Sequence, residues 1–259
     1  MACLEICYIY AYDGSELAYI QLEDTMNFLQ RLEKAIPTRL RGFFTLYVAV
    51  GLVICIISLI VFGKLVDGVS ENEAIVQFDV ALANTLHDVA TSGSTSAFQT
   101  ISLFGGTILF AWSLVVGLIF AWKRQWLGLI IWAITIAGGE ILNSLLKVFF
   151  ARPRPTFAAP LVIERFYSFP SGHAMMSFIA YGMLAYIICL MLKDNAQRLL
   201  VVLAAAFIIF IIGVSRIALG VHYFSDVAAG YTVASIWLVT CILAWRYIHE
   251  RRATRSPTA

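Results

Sequence analysis

Three short polar blocks interrupt a greasy chain: Lys147 to Pro155 (KVFFARPRP), Pro170 to His173 (PSGH) and Ser215 to Asp226 (SRIALGVHYFSD). Between them they hold four cations, two histidines and one well-placed carboxylate. His222 and Asp226 stand four positions apart, so on a helical turn their side chains share a face. The carboxylate can then take one ring N–H, fix the tautomer and leave the other nitrogen free as a nucleophile. Taken alone, the pair reads more readily as a helix-capping aspartate beside an incidental histidine. Its company argues for chemistry. Ser215 and Arg216 precede His222 by one to two helical turns, and Lys147 and Arg154 add two further cations that can meet a phosphate brought to the histidine. A transferring phosphoryl group spreads negative charge over its equatorial oxygens, and fixed cations with N–H donors are what stabilises it.

The loop that carries the arginines is stiffened by Pro153 and Pro155, each of which locks its own φ and pushes the preceding residue toward extended backbone. Ser171 reads as the N-cap of the helix that follows, where free backbone N–H groups make an anion site. Gly172 lets the backbone approach an oxyanion closely, and His173 is placed to protonate a leaving oxygen as general acid. Each block by itself could be an ordinary turn. All three, in this order at the ends of hydrophobic runs, make a phosphate-handling site.

The pattern Lys147-x6-Arg154-Pro155, Pro170-Ser171-Gly172-His173, then Ser215-Arg216-x5-His222-x3-Asp226 resembles the three-part signature of the type 2 phosphatidic acid phosphatase superfamily, with every signature position matched. The blocks cover residues 147–226, and the first forty or so residues lie outside the likeness. The resemblance implies a metal-independent lipid phosphatase without cofactor that works through a phosphohistidine. In it His222 would be the nucleophile, Asp226 its orienting carboxylate and His173 the acid. Lys147, Arg154, Ser171, Gly172 and Arg216 would hold the phosphate. Arg152 and Arg165 fall outside the strict signature and are read as headgroup contacts.

The elements that must position these residues are membrane helices. Of 259 residues 61% are hydrophobic and 13% charged, against about half and a quarter in a soluble domain. Runs of about 20 apolar residues mark six spans, near 43–63, 105–122, 127–149, 174–192, 199–218 and 226–245. The expected fold is all-α, a polytopic bundle of six transmembrane helices. Residues 1–42 form an N-terminal segment, 43–247 the six-span domain, and 248–259 a basic tail. In the third span Gly138, Gly139, Asn143 and Ser144 suit close helix packing and interhelical hydrogen bonds. Glu140 reads as buried against a partner or protonated, in a structural role. Ionisable groups in membrane helices cost about 2.5–3.5 kcal/mol each on insertion scales, so a cluster of them marks function.

Twelve of the eighteen lysines and arginines fall on one side: four before the first span, then Lys123, Arg124, Lys193, Arg198 and four from Arg246 to Arg255. That side is expected to be cytoplasmic and to hold both termini. The opposite side carries the three polar blocks and a long acidic loop, 64–104, which puts the site outside the cytoplasm of a bacterial-type plasma membrane.

Phe28, Leu29, Leu32 and Ile36 lie near a helical stripe and suggest a surface-lying amphipathic helix, although a disordered tail ahead of Glu23 fits as well. No cleavable signal peptide is read. The five cysteines are scattered and read as small core residues; Cys3 and Cys7 lack partners for a metal or redox pair. His87 and His249 read as loop and surface residues. A net charge of +2 gives no basic field for nucleic acid. The partners expected are the bilayer and a lipid phosphate: phosphatidic acid, phosphatidylglycerol phosphate or undecaprenyl pyrophosphate. A lipid phosphotransferase using the same site, an anion transporter and an inactive scaffold are the competing readings. A transporter would string its charges through the depth of the spans, whereas these gather at helix ends.

Overall fold

In hydrocarbon an apolar run can satisfy its backbone N–H and C=O groups only within its own helix. The computed structural model describes residues 38–71 and 74–255, and no strand occurs among them. The chain divides into two compact units, 1–49 and 50–259, and all three polar blocks lie in the second. The helices are α1 (Thr38–Ser70), α2 (Ala74–Asp88), α3 (Ser92–Leu103), α4 (Thr107–Trp122), α5 (Trp126–Phe150), α6 (Gly172–Met191), α7 (Asn195–Ala218) and α8 (Phe224–Arg255). Six segments are long and apolar enough to cross a bilayer: 46–70, 92–122, 126–150, 172–191, 195–218 and 224–251. The expected amphipathic helix near residues 28–36 lies outside the described residues.

The largest departure from the sequence reading is in 64–104, taken there as a loop. α1 continues to Ser70, α2 follows, and α3 runs into α4 with a break only at Phe104–Gly106. The Ser/Thr-rich stretch from Thr91 starts a helix through a capping box. Thr91 Oγ1 accepts from Ser94 N at 3.2 Å while Ser94 Oγ accepts from Thr91 N at 2.9 Å, which satisfies two orphan donors of the first turn.

α6 is the central helix, with Ala174, Met175, Met176, Ile179, Ala180 and Met183 all buried. Leu109 of α4 and Val233 and Ala234 of α8 complete its cluster. Indole and hydroxyl groups tie the bundle across helices: Trp132 Nε1 donates to Ser113 O at 2.9 Å, Trp237 Nε1 to Thr135 O at 3.0 Å and Tyr231 OH to Ile209 O at 2.7 Å. In α5 the buried residues Ile131, Thr135, Gly139 and Asn143 recur every fourth position. Glu140 lies one residue past that stripe, about 100° around the helix, and is exposed on the outer face. Of the two expectations for Glu140, burial against a partner or a protonated carboxyl, the first is corrected by this register.

Close approach at one end of the bundle sets the site. A Cβ on Gly230 of α8 would stand 2.9 Å from the carbonyl oxygen of Ser171 and 3.3 Å from the backbone nitrogen of Met175. Backbone cannot swing aside as a side chain can. Gly230→Ala should therefore push α8 from the start of α6 and cost about 1–3 kcal/mol, seen as a lower unfolding temperature in detergent; an unchanged temperature would show that the two helices have room.

Candidate functional site

The three polar blocks converge at the ends of α5, α6, α7 and α8. α5 stops where Ala151 takes a left-handed φ of 45°, its N–H returning to Lys147 O at 3.0 Å. The chain then leaves the helix axis through the stiff Arg152–Pro155 segment. α7 ends at Ala218, and Gly220, at φ +66°, makes the turn that a side chain would resist. That turn aims His222 back under the arginine loop, and α8 begins two residues later with Asp226 in its first turn.

His222 and Asp226 are both buried. His222 Nδ1 lies 3.3 Å from Asp226 Oδ2, and its Nε2 lies 3.1 Å from Arg154 Nη1. Arginine can only donate, so Nε2 is the acceptor and Nδ1 carries the proton shared with Asp226. The lone pair a nucleophile needs is on Nε2, facing the cations. Burial pulls the His222 ring down to about 4, Arg154 and Arg216 adding to the effect and Asp226 opposing it. The ring is thus neutral at ordinary pH.

Arg154 and Arg216 share one counter-ion that the sequence reading missed. Glu164 Oε2 accepts from Arg154 at 2.8 Å, and Glu164 Oε1 pairs with Arg216 Nη2. Burial would raise the Glu164 carboxyl, but Arg216 and Arg154 outweigh it and hold it at about 2. Its two oxygens thus bridge the two guanidinium groups. Arg216 Nη1 also donates to Ser102 Oγ at 2.5 Å, and Lys147 Nζ to Tyr167 O at 2.9 Å. Among the described residues, Ser171 Oγ and Arg216 Nε are buried without a hydrogen-bond partner. These are two unspent polar groups beside the cradle.

Three expectations are revised. Ser171 stands at the N-cap position of α6, but its side chain makes no capping bond; its hydroxyl is left over instead. Packing alone already asks for glycine at 172, since a Cβ there would meet Asn143 Oδ1 at 2.9 Å. Arg152, read as a headgroup contact, points inward: it bonds Asp226 Oδ1 at 2.5 Å, Ser225 Oγ at 2.7 Å and Asp79 Oδ2 at 3.0 Å. Arg165 is exposed on the same loop. His87 is stacked on Phe157 with ring centroids 4.1 Å apart, and His249 on Trp245 at 5.2 Å.

His173 packs against the break between α3 and α4, where a Cβ on Gly106 would come within 2.9 Å of its Nε2. Its ring and Arg216 border a cavity of about 660 Å³ whose other walls include Leu103, Thr107, Phe110, Val162 and Leu219. Ser168, also missed from the sequence, donates its hydroxyl to Asp226 Oδ2 and lies 3.4 Å from His222 Nδ1. Among the described residues no three His, Cys, Asp or Glu side chains gather as metal ligands would. Glu164 had one signal in the sequence: it is the only acidic residue between Glu140 and Asp194.

The sequence model of the PAP2 superfamily matches residues 128–252, which contain every signature residue of the three blocks. Phosphatidylglycerophosphatase B of Bacillus subtilis (strain 168) is 36% identical over 115 residues, 44% of this chain and 56% of the relative. A PA-phosphatase related-family protein of Dictyostelium discoideum is 33% identical over 106 residues, 36% of this chain and 39% of that protein. The chain thus matches little more than half the length of the first relative and less of the second. The crystal structure of a transmembrane PAP2 type phosphatidylglycerolphosphate phosphatase from Bacillus subtilis superposes with a TM-score of 0.68 at 26% identity, covering 75% of this chain and 96% of that one.

The electrostatics of His222 can be read without substrate. In ¹⁵N-histidine NMR of the purified protein His222 should stay neutral through about 6.5, where an ordinary histidine protonates, and titrate near 4. Arg154→Gln should raise the midpoint and Asp226→Asn lower it further, since the first removes a repelling charge and the second an attracting one. An ordinary midpoint in the unaltered protein would contradict the site's geometry.

Proposed function

We propose, from its match to the PAP2 superfamily over residues 128–252, that the chain is an integral membrane lipid phosphatase with a histidine nucleophile. The observation that supports this most is the tautomer of His222: proton on Nδ1 toward Asp226, lone pair on Nε2 toward Arg154. A phosphate replacing the Glu164 carboxylate between Arg154 and Arg216 would place phosphorus before Nε2. Nε2 then forms the N–P bond as the bond to the bridging oxygen breaks. The departing oxygen takes a proton from His173, and Asp226 stabilises the imidazolium. Water attacks the phosphohistidine in the second step, His173 now accepting its proton, which releases inorganic phosphate and restores the neutral ring. Lys147, Arg154 and Arg216 supply the positive charge that a divalent ion supplies in other phosphatases.

The apolar cavity beside His173 and Arg216 suits a substrate whose leaving group carries a hydrocarbon chain. Candidates are phosphatidic acid, phosphatidylglycerol phosphate, the substrate that the names of the Bacillus relatives point to, and undecaprenyl pyrophosphate. Phosphate release by the purified protein from these three lipids should persist in EDTA and fall by about 10³-fold or more in His222→Ala, the scale seen when a covalent nucleophile is removed. Activity that needs one specific divalent ion, or survives loss of His222, would defeat the reading.

An extracytoplasmic site is the reading supported by Lys123, Arg124, Lys193 and Arg198, which cluster at the other ends of the helices, since positive charge stays inside. Single cysteines at two exposed positions, Arg165→Cys and Lys193→Cys, test this in a background without the native cysteines. On intact cells a membrane-impermeant thiol reagent should label position 165 and spare 193. The reverse pattern would put the site, and its pool of substrate, on the cytoplasmic face.

A further inference from the structure

Asp79 belongs to none of the three polar blocks, nor to any of the six spans. It is nevertheless among the most buried side chains, at 1% exposure. It sits on the docked face of α2, where Leu82 and Leu86 pack against Ala174, Ile217 and Val227 of the helices that carry the site. A carboxylate on an apolar face is costly unless it is paired and hydrogen-bonded. Asp79 is both. Its Oδ1 accepts from Ser225 N at 3.0 Å, and its Oδ2 from Ser225 Oγ and from Arg152 Nη2 at 3.0 Å.

Both partners lead to the same place. Ser225 precedes Asp226, so the bonds to its backbone and hydroxyl fix the first turn of α8. Arg152, with a side chain 10% exposed, stacks on the Tyr223 ring at 4.4 Å and donates its other nitrogen to Asp226 Oδ1 at 2.5 Å. His222 uses the opposite oxygen, Oδ2. A buried carboxylate held on one oxygen only can rotate away from its imidazole. Held on both, it keeps the geometry that stabilises the cationic ring formed when Nε2 bonds phosphorus.

We propose that Asp79 and Arg152 are positioning residues for the His222–Asp226 pair: Asp79 fixes the guanidinium and the start of α8, and Arg152 holds the oxygen of Asp226 that His222 does not use. The charges alternate across the array, Asp79, Arg152, Asp226, so removing the cation leaves two buried carboxylates opposed. Neither residue touches the Arg154–Arg216 cradle; they act on turnover, not on phosphate affinity. This inference rests on the reading of His222 and Asp226 as the reacting pair.

The test is steady-state kinetics of the full-length protein in detergent on whichever candidate lipid it hydrolyses. Asp79→Asn should lower kcat by about 10–100-fold, the scale seen when a residue that orients a functional group is lost, with KM held within about threefold. The same change in an Asp226→Asn background should have almost no further effect, because the carboxylate to be positioned is gone. Arg152→Gln should be worse than Asp79→Asn, and the double variant better than Arg152→Gln alone, since it removes the opposed charge. An unchanged kcat in Asp79→Asn, a rise in KM alone, or an equal loss in the Asp226→Asn background would each overturn the proposal. Should Asp79→Asn fail to assemble, Ser225→Ala removes one bond between Asp79 and α8 without stranding a charge and carries the same comparison. The ¹⁵N shifts of His222 give a readout independent of turnover. They should move in Asp79→Asn even if no candidate lipid is hydrolysed, which separates this inference from the assignment of the reaction; shifts that stay in place would overturn it.

Discussion

A carboxylate taken out of water must be bonded on both oxygens, and around Asp226 four groups meet to do it. Oδ2 accepts from Ser168 Oγ, from Tyr223 N at 2.9 Å and faces His222 Nδ1, while Oδ1 takes Arg152. The backbone is drawn into the same knot: Ser171 N donates to Asp226 O at 3.0 Å, and Ser168 N to Arg152 O at 2.9 Å. The loop from 151 to 171 is thereby pinned to the first turn of α8. Removing one partner from such an arrangement leaves a buried charge uncompensated, at a cost of about 3–5 kcal/mol. The positions of Arg154, Ser171 and His173 all follow from that pinning.

The opposite sign of charge sets the second constraint. Arg154, Arg216 and Lys147 repel one another at the mouth of the site, and Glu164 is the counter-ion that makes their company tolerable. Arginines suit the task because their forked donors match two oxygens at once, whether of a carboxylate or a phosphate. Under the proposed function, an incoming phosphate dianion would offer more charge than Glu164 and take over the same donors, already held in place by the carboxylate. The unpartnered Ser171 hydroxyl and Arg216 Nε add donors that Glu164 does not engage.

Residues whose neighbours lie close in sequence were legible; those paired by tertiary contact were not. His222 and Asp226 could be matched by their helical spacing, and the six-helix bundle followed from apolar run length alone. Arg152 was misjudged because Arg-Pro-Arg-Pro looks like one cationic loop. In extended backbone successive alternate residues need not serve the same side once the segment twists, and here Arg154 meets His222 while Arg152 turns in to Asp79. Asp79 itself is far along the chain from everything it touches, in a stretch whose acidic composition read as solvent-facing loop. The face of α5 was mistaken at Glu140 because glycine and asparagine mark the packed stripe better than charge does. Glu164 was hidden because nothing in a sequence shows which cations a lone carboxylate will bridge.

In the proposed reaction His222 Nε2 becomes bonded to phosphorus. The most direct measurement is rapid quenching in alkali during turnover of a lipid labelled in its terminal phosphate, followed by proteolysis and peptide mapping. Label should appear on the peptide that holds His222, stable in alkali and lost in acid as an N–P bond is, and should vanish in His222→Ala. Turnover without any labelled peptide, or label found on His173 instead, would contradict it.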